Sequence, residues 1–157
     1  MNIKLIAIGK TDNKQLQTLM DDYQKRLSFY IKFDLEIIGD IKNVKNLSEI
    51  QQKEKEGELI LAKIAATDQL VLLDENGKNF SSMEFSAELQ KKMNSGIKTL
   101  VFVIGGPYGF SEAVYQKAQG KISLSKMTFS HQMVRLFFIE QLYRGFTILK
   151  NEPYHHQ

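Results

Sequence analysis

Residues 99–104, TLVFVI, form an almost uninterrupted apolar run that ends at two adjacent glycines. A run of this length and composition predicts a strand buried on both faces, which is typical of parallel sheets covered by helices. Other apolar runs that also predict strands lie at 2–8, 33–38, 69–74 and 122–125. The chain is therefore expected to build its core around a sheet with TLVFVI in its interior.

Helices are predicted between these strands. Apolar residues recur at three- and four-residue spacing, or follow an N-cap serine, in segments 12–29, 47–66, 82–93, 111–118 and 131–150. Ser48 is the expected N-cap of the second helix, Ser81 and Glu84 fit a capping box for the third, and Asn76-Gly77 predicts a turn. This alternation predicts an α/β fold, a largely parallel sheet flanked by helices, in a single domain over residues 1–157.

Composition excludes several classes of function. The sequence has no cysteine, which rules out disulfides, thiolate catalysis and cysteine-bound zinc. The first apolar run is too short for a signal peptide, and no later run has membrane-spanning length, so a cytoplasmic protein without a membrane partner is expected. The net charge of +3 is compatible with a nucleic-acid partner and equally with an ordinary mildly basic protein. No metal site is indicated, because the one histidine pair lacks carboxylates at ligand spacing.

The stretch FVIGGPYGF, residues 102–110, predicts a ligand site at the carboxyl end of the fourth strand. Glycines at 105, 106 and 109 would let the backbone approach a nucleotide-like group closely. Neither glycine-rich phosphate motif is present, which argues against a dinucleotide-dependent dehydrogenase or an NTPase. A tight turn fixed by Pro107, with no ligand, remains the alternative.

A second segment, LSKMTFSH (124–131), leads into the last helix. Its hydroxyls, backbone groups and apolar side chains are suited to enclosing an adenine ring. The alternative is an ordinary connection in which Ser130 caps the helix.

The last helix is apolar around nearly its whole circumference, which predicts a homodimer interface in addition to packing on the sheet. His131 and Arg135 share one face. Glu140 and Arg144 share another, in the order that favours an ion pair, so a purely structural pair is the default interpretation. The last seven residues, NEPYHHQ, contain Tyr154 and His155. They are either functional or a frayed end.

Four segments together resemble the RlmH family of small SPOUT-class methyltransferases, which act on the bacterial large ribosomal subunit. They are GGPYG (105–109), LSKMTFSHQMVR (124–135), IEQLYRGF (139–146) and PYHH (153–156). The resemblance covers the whole chain, and one departure is Ser130, where many members carry proline. It implies a C-terminal trefoil knot and methylation at N3 of a pseudouridine in 23S ribosomal RNA.

The resemblance also implies an S-adenosylmethionine site formed by the knotted loops. The positions that match it here are Leu73, Gly105, Leu124, Ser125, Lys126, Met127, Thr128 and Phe129. The large subunit or the whole ribosome is the implied substrate, and no metal is required.

Methyl transfer to a ring nitrogen requires alignment and loss of the N3 proton. His155 is the favoured base, with His131 and Glu140 as alternatives. Arg135 and Arg144 are candidate stabilisers or phosphate contacts, and Tyr154 is suited to stacking on a flipped base. A non-catalytic RNA-binding or ribosome-associated module remains the other class of function, and donor binding would distinguish the two.

Overall fold

The computed structural model describes residues 1–156, and Gln157, the last residue of the predicted tail, lies outside them. Five strands are present: β1 (Asn2–Ile8), β2 (Lys32–Ile38), β3 (Gln69–Asn79), β4 (Thr99–Ile104) and β5 (Gly120–Ser123). Five α-helices alternate with them: α1 (Lys14–Leu27), α2 (Glu49–Leu61), α3 (Ser82–Asn94), α4 (Glu112–Lys117) and α5 (His131–Leu149). A short 3₁₀ turn, Val44–Asn46, precedes α2.

The strands form one sheet in the order β2-β1-β4-β3-β5, and every pairing between them is parallel. This confirms the predicted α/β class. No helix among residues 1–156 combines the length and the apolar character needed to cross a membrane.

The central strand β4 is buried on both faces, as its composition predicts. Leu100, Phe102 and Ile104 pack into a core shared with α1, α3 and α5. Val101 and Val103 point to the opposite face, where the core is shared with α2 and α4. Because side chains alternate along a strand, one apolar run can serve both layers.

The predicted helix starts are also confirmed. Ser48 and Ser81 each cap their helix in a reciprocal capping box, with Gln51 and Glu84 as the respective partners. The Ser130 hydroxyl accepts a hydrogen bond of 3.2 Å from the Met133 amide at the start of α5. Each cap satisfies a helix-end donor that would otherwise lack a partner.

The predicted turn at Asn76-Gly77 is wrong, because β3 continues through it to Asn79. The pairing of β3 with β5 is instead irregular between Leu73 and Lys78. A β-carbon on Gly77 would lie 2.5 Å from the Ile122 backbone, so glycine here permits two strands to approach closely rather than reversing the chain. The same irregular pairing accompanies a β5 that begins and ends two residues earlier than predicted.

Helix α5 lies against α1 and α3 and is less uniformly buried than its composition suggests. Phe138, Ile139 and Leu142 are fully buried, whereas Met133 and Phe137 remain partly accessible. The partly accessible side is the part of α5 available for a second chain.

Candidate functional site

A pocket of about 450 Å³ opens at the carboxyl ends of β3, β4 and β5. It is lined by residues 73–76, 104–110, 122–125, 127–129, Tyr115, His131 and Val134. All the predicted donor-site positions lie on it except Lys126. The placement follows from the topology, since the ends of adjacent parallel strands and the loops that leave them meet at one edge of the sheet.

The glycine loop lines this pocket through its backbone. The vacant side of Gly105 faces the Phe110 ring, where a β-carbon would lie 3.0 Å from the nearest ring carbon. A β-carbon on Gly106 would lie 2.2 Å from the nearest oxygen of the Glu56 carboxylate. Gly109 has φ of +79° and its amide donates to the Gly106 carbonyl at 3.2 Å, which closes the turn. Gly105 and Gly106 are therefore required by the neighbouring Phe110 and Glu56 side chains, and Gly109 is required by its positive φ.

The opposite wall is the loop that follows β5. The Ser123 hydroxyl donates to the Ser125 carbonyl at 2.8 Å, and the Met127 amide donates to the Ser125 hydroxyl at 2.9 Å. These short-range bonds shape the loop and leave apolar side chains on its surface. Met127 is 77% exposed and Phe129 is 37% exposed.

Sequence reasoning missed a carboxylate at the pocket. The Tyr115 hydroxyl donates to Asp74 at 2.5 Å. Burial, with the Asp74 carboxylate beside it, raises the pKa of Tyr115 to about 12. The available signal was the position of Asp74 as the last residue of the apolar run QLVLLD, at the carboxyl end of a strand. Tyr115 had no such local signal.

The chemistry of the pocket suits a cationic nucleoside. Its walls combine apolar side chains, backbone groups and the carboxylates of Asp74 and Glu75, and within the described residues neither lysine nor arginine lines it. A phosphate-bearing nucleotide would call for such cations or an anion-binding nest. Among residues 1–156, no group of three or more potential metal ligands is present either.

A second group of predicted site residues meets on α5. Arg144 binds the Glu140 carboxylate through Nε at 3.1 Å and Nη2 at 2.5 Å. The Tyr154 hydroxyl donates to the same carboxylate at 3.0 Å, and Arg144 Nη1 lies 3.4 Å from His155 Nδ1. We call Glu140, Arg144, Tyr154 and His155 the tail cluster.

The tail is held in place by contacts to α1 and α5, so the described part of it is not a frayed end. The Tyr154 hydroxyl lies 3.1 Å from that of Tyr23, its ring packs edge-on against Tyr143 at 4.7 Å, and Arg144 lies over its face. Burial, together with the hydrogen bonds to Tyr23 and Glu140, raises the pKa of Tyr154. Burial opposes the charge of Arg144, but the Glu140 carboxylate more than offsets it and raises the pKa of Arg144.

The tail cluster does not reach the 450 Å³ pocket of its own chain, since none of its four residues lines it. Glu140 instead lines a smaller cavity of about 220 Å³, together with Phe137. Leu124 and Phe129 line both cavities and separate them.

The structure places His131 and Arg135, which were predicted to share one face of α5, in different surroundings. His131 lies at the pocket, whereas Arg135 is only 1% exposed and turns away from it. The Arg135 guanidinium donates to the Ile8 carbonyl at 2.6 Å and to the Thr11 hydroxyl at 2.9 Å. Burial lowers its pKa. This position ties α5 to the end of β1 and leaves no surface for a phosphate contact.

Comparison with known proteins shows the family to which the chain belongs. Residues 1–155 match the family model described as "Predicted SPOUT methyltransferase". The chain is 87% identical to the ribosomal RNA large subunit methyltransferase H of Flavobacterium johnsoniae and to that of Flavobacterium psychrophilum. It is 68% identical to the protein of the same name from Christiangramia forsetii, and each alignment covers 100% of both chains.

Proposed function

Because this chain belongs to the SPOUT methyltransferase family, we propose that it methylates ribosomal RNA of the large subunit with S-adenosylmethionine as donor. The target proposed is N3 of a pseudouridine in 23S ribosomal RNA, in the large subunit or the assembled ribosome, in the cytoplasm. The observation that carries the donor assignment is the pocket at the ends of β3, β4 and β5, with apolar walls, the carboxylates of Asp74 and Glu75, and no lining lysine or arginine among residues 1–156. The trefoil knot that the family implies belongs to the same proposal.

The pocket residues would hold the donor in distinct ways. Leu73, Leu124 and Phe129 supply apolar surface for a purine ring, and backbone groups of the Gly105 turn and the 124–129 loop supply hydrogen-bonding positions. Asp74 supplies an acceptor for hydroxyl or ammonium groups. When bound, the donor provides a sulfonium-activated methyl group, so the protein has only to align the acceptor nitrogen and promote loss of its proton.

The tail cluster is proposed to promote that proton loss. Arginine only donates hydrogen bonds, so its contact with His155 makes Nδ1 the acceptor and places the proton of a neutral imidazole on Nε2. In this state His155 donates a hydrogen bond to a carbonyl oxygen beside N3, and Arg144 adds positive charge. Both favour the N3 anion, and the N3 proton passes to solvent water. Direct proton abstraction by His155 would require release of the Arg144 contact.

A homodimer would complete the site. The tail cluster lies away from the donor pocket of its own chain, so a second copy must bring the two together. The surface available for this contact is apolar. Met127 and Phe129 line the larger pocket, Phe129 and Phe137 line the smaller cavity, and the Phe129 and Phe137 rings lie 5.0 Å apart. An exposed apolar surface of this kind marks an interaction site.

The test is mass mapping of 23S ribosomal RNA from cells with and without this protein, followed by addition of the purified protein to unmodified ribosomes. We expect one methyl group to disappear with the gene and to return with the protein and S-adenosylmethionine. Donor binding measured by calorimetry, without any methyl group gained by the ribosome, would contradict this substrate. Ribosome binding without donor binding would favour the non-catalytic module.

A further inference from the structure

Glu56 is a buried carboxylate that the proposed mechanism does not use. It lies on α2 and is 3% exposed. Its Oε1 accepts a hydrogen bond of 3.0 Å from Gln52, whereas its buried Oε2 has no hydrogen-bond partner among residues 1–156. A buried carboxylate oxygen without a partner is costly, so its retention calls for an explanation.

The position of Glu56 connects it to the donor pocket. Its Oε2 lies 2.2 Å from the position that a β-carbon of Gly106 would take, and Gly106 itself lines the pocket. The carboxylate is thus separated from the pocket by the backbone of a single residue. Any side chain at position 106 would displace it.

The charges around Glu56 leave it unneutralised. His131 faces it from α5, at the pocket, and Asp40 faces it from the loop after β2. Arg135 has Asp40 and Asp12 as its charged neighbours, and its Nη1 and Nη2 donate to Thr11 and to β1. Its buried Nε has no hydrogen-bond partner among residues 1–156. Within the described residues, no lysine, arginine or histidine forms a salt bridge with Glu56.

Burial raises the pKa of Glu56, and Asp40 adds to this effect, while the Gln52 hydrogen bond and His131 oppose it. The carboxyl group therefore keeps its proton to higher pH than an exposed glutamate does. A cation entering the pocket favours the ionised form and lowers this pKa again. A neutral molecule of the same shape does not.

Building on the proposed donor site, we propose that Glu56 is a specificity-determining residue that distinguishes the sulfonium donor from the neutral thioether left after methyl transfer. When the cationic donor binds, the Glu56 carboxyl group loses its proton to solvent. When the donor loses its methyl group and its charge, Glu56 takes a proton back from solvent. The pocket then favours the donor over the product, which promotes product release.

The expected size of this preference follows from electrostatics. Two unit charges about 10 Å apart, at an effective dielectric constant of about 20, change an affinity by roughly tenfold. The same coupling makes donor affinity increase with pH through the pKa of Glu56, since the ionised form binds the cation better. Product affinity lacks this increase.

The experiment is calorimetric titration of the full-length protein with S-adenosylmethionine and with S-adenosylhomocysteine, from about pH 5 to pH 8. Two buffers with different ionisation enthalpies report the protons released. For the wild type we expect proton release with the donor only. Glu56→Gln is nearly isosteric and removes the charge, so it should reduce the donor-to-product affinity ratio roughly tenfold and abolish most of the release. Glu54→Gln is the matched control, because it removes an exposed carboxylate from the same helix. It should retain the release.

Three results would overturn the proposal. They are a wild type that releases no proton on donor binding, a Glu56→Gln protein that loses donor and product affinity equally, and proton release that persists undiminished in the Glu56→Gln protein. The first needs no variant, so it decides the matter even where Glu56→Gln fails to fold. Failure of the wild type to bind either molecule would instead refute the proposed donor site, on which this inference depends.

Discussion

Replacing Arg144 with methionine tests whether the tail cluster is structural or functional. Methionine has a similar length without the charge, so it removes both hydrogen bonds from Arg144 to the Glu140 carboxylate and the contact with His155. Arg144 and Glu140 side chains are 24% and 16% exposed, so solvent screens this pair only partly.

The expected loss of stability follows from what Glu140 retains. A hydrogen bond to a charged group contributes about 1.5–3 kcal/mol to stability, and the loss is larger when the remaining partner is left unsatisfied. Here the Tyr154 hydroxyl and the Gln141 amide still donate to Glu140, at 3.0 Å and 2.8 Å. We therefore expect a net loss of about 2 kcal/mol in the free energy of unfolding. In a chain of this size that lowers Tm by roughly 4–8 °C.

The effect on catalysis should be larger than the effect on stability. If Arg144 stabilises the N3 anion, its removal should reduce single-turnover methylation of unmodified ribosomes about 100-fold, with donor affinity nearly unchanged. Arg144→Lys keeps the charge without the bidentate geometry, so it should recover part of the rate.

Lys92→Met is the matched control. Lys92 forms an (i, i+4) pair of similar burial with Glu88 on α3, at 3.5 Å, and it lies outside the tail cluster. It should reduce stability by about 1 kcal/mol or less and leave the methylation rate unchanged. An Arg144→Met protein that unfolds at a lower temperature but methylates ribosomes at the wild-type rate would show that the ion pair is only structural.

Three further changes test other parts of the site. Deleting residues 154–157 should abolish ribosome methylation and leave donor affinity nearly intact, and wild-type rates would remove the tail from the mechanism. Gly105→Val should weaken donor binding sharply, because its side chain meets the Phe110 ring. Unchanged affinity in calorimetry would exclude this loop from the site. Phe137→Asp should yield monomers by light scattering, whereas Phe138→Asp should fail to fold, because Phe138 is fully buried. A folded Phe137→Asp dimer would place the interface elsewhere.

Local sequence signals predicted most of the fold. Strand β4 was evident because its side chains fill two cores, and Ser48 and Ser81 were evident because caps act within one turn of the chain. The Asn76-Gly77 pair gave a wrong prediction of a turn, because glycine also occurs where a strand approaches its neighbour closely, as β3 approaches β5 here. The dipeptide alone does not distinguish these two uses.

The site was less predictable because its contacts are distant in sequence. Nothing local indicates that Tyr154 binds Tyr23, 131 residues earlier, or that Glu56 lies against Gly106. The burial of Arg135 was equally hidden, because its hydrogen-bond acceptors belong to β1 and the segment after it. Residue types and helical spacing indicated candidates, whereas tertiary packing determined which of them meet.

The strand order has a consequence for how this protein is made. β1 pairs with β2 on one side, but its other neighbour in the sheet starts 97 residues later, with Asn2 opposite Thr99. β5 and α5, which contribute residues to the pocket, are synthesised after the other four strands. A translation product truncated before β5 therefore lacks part of the pocket wall, and we expect it not to bind the proposed donor.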